Sequence, residues 1–60
     1  MTRKDYQLIA EAILRTRLAF QYEAEAEEAI NAVAEALAND LKADNPRFDI
    51  GKFLAAASDQ

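Results

Sequence analysis

Carboxylates are the most abundant chemically active groups in this chain: 11 of its 60 residues are Asp or Glu, against 7 Lys and Arg. Asp40 and Asp44 are one helical turn apart, and Asp49 follows just beyond a proline. Oxygen donors of this kind hold hard cations such as calcium or magnesium. The spacing is not that of an EF-hand loop, which needs ligands at alternate positions and a glycine at its sixth, and Asp49 has a sufficient role as a helix cap. No metal site is therefore expected. Paired acids also hydrolyse glycosidic bonds, but only across a walled cleft, for which so short a chain leaves little room. The hydroxyls of Thr2, Thr16 and Ser58 have no histidine to activate them, and there is no cysteine. Nucleophilic catalysis, thiolate metal sites and disulfides all lose their usual residues. The expectation is a protein that is not an enzyme and uses no cofactor.

The cations form small groups: Arg3 with Lys4, Arg15 with Arg17, and Lys42, Arg47 and Lys52 around the proline. If the first two helices run antiparallel, Arg3 and Lys4 approach the Lys42–Arg47 end. Arg3, Lys4, Arg47 and Lys52 then make one positive end that suits a phosphorylated metabolite or nucleotide, with Arg47 as a bidentate donor. The plainer reading is solvated charge and i,i+4 pairing with nearby acids. Arg47, between Pro46 and Phe48, also has the option of pairing with a carboxylate or a helix-2 carbonyl to lock the turn. A net charge of −4 disfavours nucleic acid as a partner and suits a domain kept soluble by charge.

The elements that position these groups are helices. Thr2 and Asp5 have capping-box spacing, and Met1 and Tyr6 that of a hydrophobic staple. Tyr6, Ile9, Ala10 and Ile13 follow at i, i+3, i+4, i+7, widened by Leu14. Leu8 falls off that face, as an exposed or contact residue. This predicts helix 1 over about 3–18. A second stripe, Ile30, Val33, Leu37 and Leu41, predicts helix 2 over about 23–43, with glutamates in its first turns and Lys42 in its last, as the helix dipole favours. The two stripes point about 130° apart if the helix is unbroken. A turn between Arg17 and Glu23 lets both meet one core, with Leu18, Phe20 and Tyr22 packing at the corner. Asn45-Pro46 stops helix 2. Asp49 caps helix 3, about 50–57, with Phe48 and Phe53 spaced as a staple and Ile50, Phe53, Leu54 and Ala57 on one face. Helix 3 carries almost no base-reading side chains, which argues against a helix-turn-helix regulator. Ser58, Asp59 and Gln60 should fray.

The fold class is therefore all-α: one small domain of three helices, two longer ones in an antiparallel hairpin and a short third. Such a chain buries only roughly 60% of its unfolded surface, so association is its remaining route to more buried area. A homo-oligomer is expected, a dimer first. Helix 2 is rich in alanine, which both favours helix and lets a neighbouring helix approach closely; Ala29, Ala32 and Ala36 are the candidate interface. No apolar run follows the basic start and none approaches a membrane span, so no membrane association and a cytoplasmic location are expected.

Two segments carry a resemblance. Lys4-Asp5-Tyr6-Gln7-Leu8-Ile9-Ala10 and Asp44-Asn45-Pro46-Arg47-Phe48-Asp49, with Phe53-Leu54 and Ala56 after it, resemble small uncharacterised proteins encoded by bacteriophages and prophages. The two cover about a third of the chain, at its ends, and the closing one is the more specific. A cysteine and a glycine often follow the last helix in that family, where Ala57 and Ser58 stand here, so no role tied to that cysteine carries over. The resemblance implies a phage-type accessory protein, located in the host cytoplasm. The expected function is an interaction module that binds a protein partner and blocks or redirects a host function. The alternative is a small-ligand sponge at the positive end.

Overall fold

The computed structural model describes residues 1–58; the fraying expected at Asp59 and Gln60 lies outside them. Among the described residues there are three helices and no strand: α1 (Arg3–Ala19), α2 (Ala24–Asp44) and α3 (Ile50–Ala56). The first start is the reciprocal capping box its sequence predicts. The Thr2 N–H donates to Asp5 Oδ2 over 2.9 Å, and the Asp5 N–H donates to Thr2 Oγ1 over 3.3 Å. The bond from the Thr2 backbone holds the Asp5 carboxyl below the usual aspartate range.

α1 and α2 are separate helices, parted by a turn that uses no glycine and no positive φ. The Phe20 N–H closes α1 on the Thr16 carbonyl at 3.2 Å, and the Glu23 N–H reaches back to the Phe20 carbonyl at 3.0 Å. The apolar residues around this corner do not pack into it. Leu18 is 42%, Phe20 45% and Tyr22 92% exposed. Four residues, Phe20 to Glu23, reverse the chain so tightly that no interior exists between the helix ends to receive those side chains. Met1, expected to staple over Tyr6, is likewise exposed.

The second turn is built more firmly. The Asn45 side chain accepts from the Arg47 N–H at 3.1 Å, and the Phe48 N–H returns to the Asn45 carbonyl at 2.8 Å. Lys42 Nζ donates to the carbonyls of Pro46 (2.7 Å) and Phe48 (3.1 Å). The side chains that lock this turn are thus Asn45 and Lys42; Arg47 contributes its backbone N–H. Asp49 then caps α3 by accepting from the Lys52 N–H at 3.0 Å.

α3 packs against both longer helices. Its aromatic anchor is continuous: Tyr6 meets Phe48 edge-on at 4.7 Å between ring centroids, and Phe48 meets Phe53 at 5.4 Å. The Tyr6 hydroxyl accepts from Asn45 Nδ2 at 3.3 Å, so the start of α1 lies beside the end of α2 and the hairpin is antiparallel. The fully buried positions are mostly small: Ala10, Ala34, Ala38 and Ala57, with Phe48 and Phe53. Alanines at the contact let helix backbones approach closely. That choice corrects the stripe expected on α2. Val33 is 56% exposed, while Ala34 and Ala38 are buried and Ile30, Leu37 and Leu41 are half-buried. The buried face is rotated by about 40° at 100° per residue.

Arg17 ties the three helices together. Its Nε donates to the carbonyl of Ala57 at 3.0 Å, and its terminal nitrogen donates to Asn31 Oδ1 on α2. Ser58 folds back as well, its hydroxyl donating to the Leu54 carbonyl at 2.9 Å, so the fraying expected there does not begin at Ser58.

Candidate functional site

The hairpin has two faces, and α3 covers one of them. At about 100° per residue, Ala12 and Thr16 sit roughly 130° around α1 from Ala10 and Arg17, which face α3. On α2, Ala29 and Val33 sit about 140° from Ala34 and Ala38 by the same arithmetic. These four, with Ile13 and Ile30 at the base, line an open groove of about 300 Å³ on the face away from α3.

The groove is apolar in effect as well as in composition. Its single hydroxyl, Thr16 Oγ1, donates back to the Ala12 carbonyl on its own helix at 3.0 Å. Thr16 therefore offers little free polar capacity to a ligand. Along α1 the face continues to Leu8, one turn before Ala12 and 57% exposed. Along α2 it continues through Ala32 and Ala36, which with Ala29 and Val33 have the i, i+3, i+4, i+7 spacing of a single face. The three alanines marked from the sequence, Ala29, Ala32 and Ala36, are all exposed and all on this face. Sequence reasoning missed that Val33 stands among them. It assigned Val33 to the core because side-chain size was read as burial, whereas the closely packed side of α2 takes the alanines.

The predicted positive end is distributed differently. Arg3 and Lys4 open α1, Arg47 lies in the α2–α3 turn and Lys52 in the first turn of α3; all four are exposed. The Tyr6–Asn45 bond brings the start of α1 to the turn that holds Arg47. Lys42 is the cation there with firm partners, and its donors are spent on backbone carbonyls of the turn. A second concavity, of about 500 Å³, lies at the start of α2 between Glu23 and Ala26. Glu23 and Glu25 make it unsuited to anions despite the helix dipole behind it.

Among the described residues no three carboxylates converge on a point that would hold a metal ion, and Asp49 spends its Oδ1 as a cap. No helix of the described residues is long and apolar enough to cross a membrane. Comparison of the chain with protein-family models, with curated proteins and with solved structures finds no match.

Proposed function

We propose that this protein is a non-enzymatic interaction module of the phage accessory type, which docks an apolar helical surface of a macromolecular partner in the groove between α1 and α2. One observation carries the reading: Val33, in the middle of α2, is 56% exposed on a groove that offers a ligand almost no free polar group. A groove of that chemistry rewards the burial of apolar side chains and little else. Completing the burial of Val33 and Leu8 is worth roughly 1 kcal/mol each, and the flanking alanines let a partner helix approach closely. Peptides and proteins use such helix-in-groove contacts widely. The resemblance of both chain ends to phage-encoded proteins supports an accessory role directed at a host factor.

A phosphorylated ligand at Arg3, Lys4, Arg47 and Lys52 draws less support. These side chains are exposed, so water competes with any ligand for them.

The test places a photoreactive amino acid at position 33 or, as a control, at position 35, where Glu35 is exposed about 160° around the helix from Val33. Irradiation in cells expressing the protein is expected to give a discrete adduct from position 33 and none from position 35. Absence of any adduct from position 33, or equal adducts from both, overturns the docking-face reading. A nucleotide that raises the melting temperature of the wild type but not of Arg47→Ala would favour the ligand reading instead.

A further inference from the structure

Resting on that reading, we infer that the segment docked in the groove is an amphipathic helix with a basic end, rich in arginine, which lies over the corner between α1 and α2.

Charge is gathered at one end of the groove. Between Leu18 and Glu28 the chain carries four glutamates, Glu23, Glu25, Glu27 and Glu28, and no lysine or arginine. The formal net charge is −4, so the remaining seven acids balance the seven bases and this corner holds the whole excess. Apolar side chains are exposed in the same place: Leu18, Phe20 and Tyr22. The corner also continues the groove. Glu25 and Ala26, which line the second concavity, lie one turn before Ala29, which lines the groove itself. Glu25 shares a face with Ala29 and Ala32 at i, i+4, i+7 spacing, and Glu28 stands one turn before Ala32 at the edge of that face.

The nearest cations of α1 are turned elsewhere. Arg17 is engaged with the Ala57 carbonyl and with Asn31. Arg15 stands about 100° around α1 from Thr16, on the outer flank. The opposite end of the hairpin is balanced: the Tyr6–Asn45 bond sets Arg3 and Lys4 beside the end of α2, which carries Asp40 and Asp44. A helix laid in the groove thus meets apolar side chains along its middle and unopposed carboxylates at one end only. Acidic residues at that end would be repelled, and basic ones are attracted. Arginine suits the corner better than lysine. Its planar guanidinium pairs with carboxylates through a fork and stacks on exposed aromatic faces, here those of Phe20 and Tyr22.

Two synthetic helical peptides of equal length test this against the purified full chain by fluorescence anisotropy. Both carry leucines at i, i+3, i+4 and i+7; one ends in three arginines and the other in three glutamines. The arginine peptide is expected to bind roughly tenfold more tightly at about 50 mM salt, the combined effect of a few exposed ion pairs. That advantage should fall to about twofold or less when Glu23→Gln, Glu25→Gln and Glu28→Gln are combined. It should survive the combination of Glu11→Gln, Glu27→Gln and Glu35→Gln. These three remove the same charge from positions about 100° or more around their helices from the groove residues Ala12, Ala29 and Val33. All six glutamates are exposed, so both variants should keep the wild-type circular dichroism spectrum. Equal binding of the two peptides, an advantage that survives the first combination, or one lost equally from both overturns the inference. Equal binding that Val33→Glu abolishes would overturn the basic end while leaving the docking face standing. Binding of neither peptide also overturns the inference, and the position-33 adduct in cells then decides the docking face by itself.

Discussion

Arg17 and Ala57, forty positions apart, are joined by a 3.0 Å hydrogen bond from the guanidinium Nε to the backbone carbonyl. Ala57 is fully buried, and it is the C-cap that follows α3. The last carbonyls of a helix have no partner within it. A cation there satisfies an acceptor and meets the negative end of the helix dipole. The same guanidinium donates to Asn31, so one side chain from α1 fixes the far end of α3 and a point on α2. The aromatic cluster of Tyr6, Phe48 and Phe53 fixes the near end. A seven-residue helix is too short to persist by itself. It is held here at both ends by groups outside it.

Arg17→Ala should therefore cost more than an ordinary surface substitution. It leaves the Ala57 carbonyl without its charged donor, a loss of about 1.5–3 kcal/mol. A domain of this size has a total stability of only about 3–9 kcal/mol. The melting temperature should fall by roughly 10 °C or more at fixed protein concentration. Arg17→Lys should recover less than half of the loss, because one ammonium does not reproduce two donors held in a planar fork. Recovery to wild-type stability in the lysine variant would show that charge alone matters and that the two-point geometry does not.

At the other end, Phe48→Ala removes the ring that bridges α1 and α3. Truncating a buried phenylalanine costs about 3–5 kcal/mol, which spans most of the available stability, and the variant is expected to be largely unfolded at 37 °C by circular dichroism. Tyr6→Phe keeps the edge contact with Phe48 and loses only the hydroxyl that accepts from Asn45. Its expected cost is about 0.5–1.5 kcal/mol, read from the shift in urea midpoint at unchanged slope. A Tyr6→Phe variant as damaged as Phe48→Ala would mean that the hydroxyl, not the ring, anchors the start of α1.

The helices and their caps were readable because each rests on local chemistry. Thr2 with Asp5, and Asp49 with Phe48 and Phe53, are signals contained within six residues. The rotation of α2 was not readable in the same way. Alanine is neutral between a packed face and a solvated one, so the apolar periodicity runs through Val33 whereas the contact side belongs to Ala34 and Ala38. Close helix approach is a property of two surfaces, and one sequence window shows only one of them. Arg17 and Lys42 were hidden for a related reason. As residue types they read as a solvated cation and a dipole partner, and only the path of the chain brings carbonyls of Ala57, Pro46 and Phe48 within their reach. The groove has the same origin: with Val33 outside the core, it stands with Ala29, Ala32 and Ala36 on the open face.

The capping box gives a pH dependence with a definite sign. Hydrogen bonding from the Thr2 backbone lowers the pKa of Asp5 in the folded state. A group whose pKa falls on folding stabilises the fold above its unfolded value, about 3.9, and that contribution is lost as the pH drops through the lower folded value. The start of α1 should thus loosen below about pH 4, and it should do so before the Arg17–Ala57 contact, a hydrogen bond from a guanidinium to a backbone carbonyl. An NMR titration is expected to place the Asp5 carboxyl midpoint below that of Asp5 in the urea-unfolded chain, with the Thr2 amide moving in step. In Thr2→Ala, which removes the hydroxyl cap at a cost of about 1 kcal/mol, the midpoint should move back towards the ordinary value. An Asp5 midpoint equal to the unfolded one would show that the box does not hold in solution.

Gly51 offers a prediction of the opposite direction. It is the chain's single glycine and lies in the first turn of α3. Its backbone does not have positive φ, so no left-handed conformation requires it. A methyl group built there meets Asp49 Oδ1 at 3.4 Å, an ordinary contact. Glycine is less favourable than alanine within a helix by roughly 0.5–1 kcal/mol, largely through the freedom of the unfolded chain. Gly51→Ala should therefore stabilise the protein by up to about 0.5 kcal/mol, less than the interior value because the first turn is less constrained. The size of the gain tests how far α3 is held by its caps: if Asp49 and Arg17 already fix it fully, the folded state gains nothing new and only unfolded-state entropy changes. In that case Gly51→Ala and Arg17→Ala should be additive in a double mutant. A larger benefit of the alanine in the Arg17→Ala background would show instead that α3 frays once its far end is released, and that helix propensity then takes over part of the work of the guanidinium.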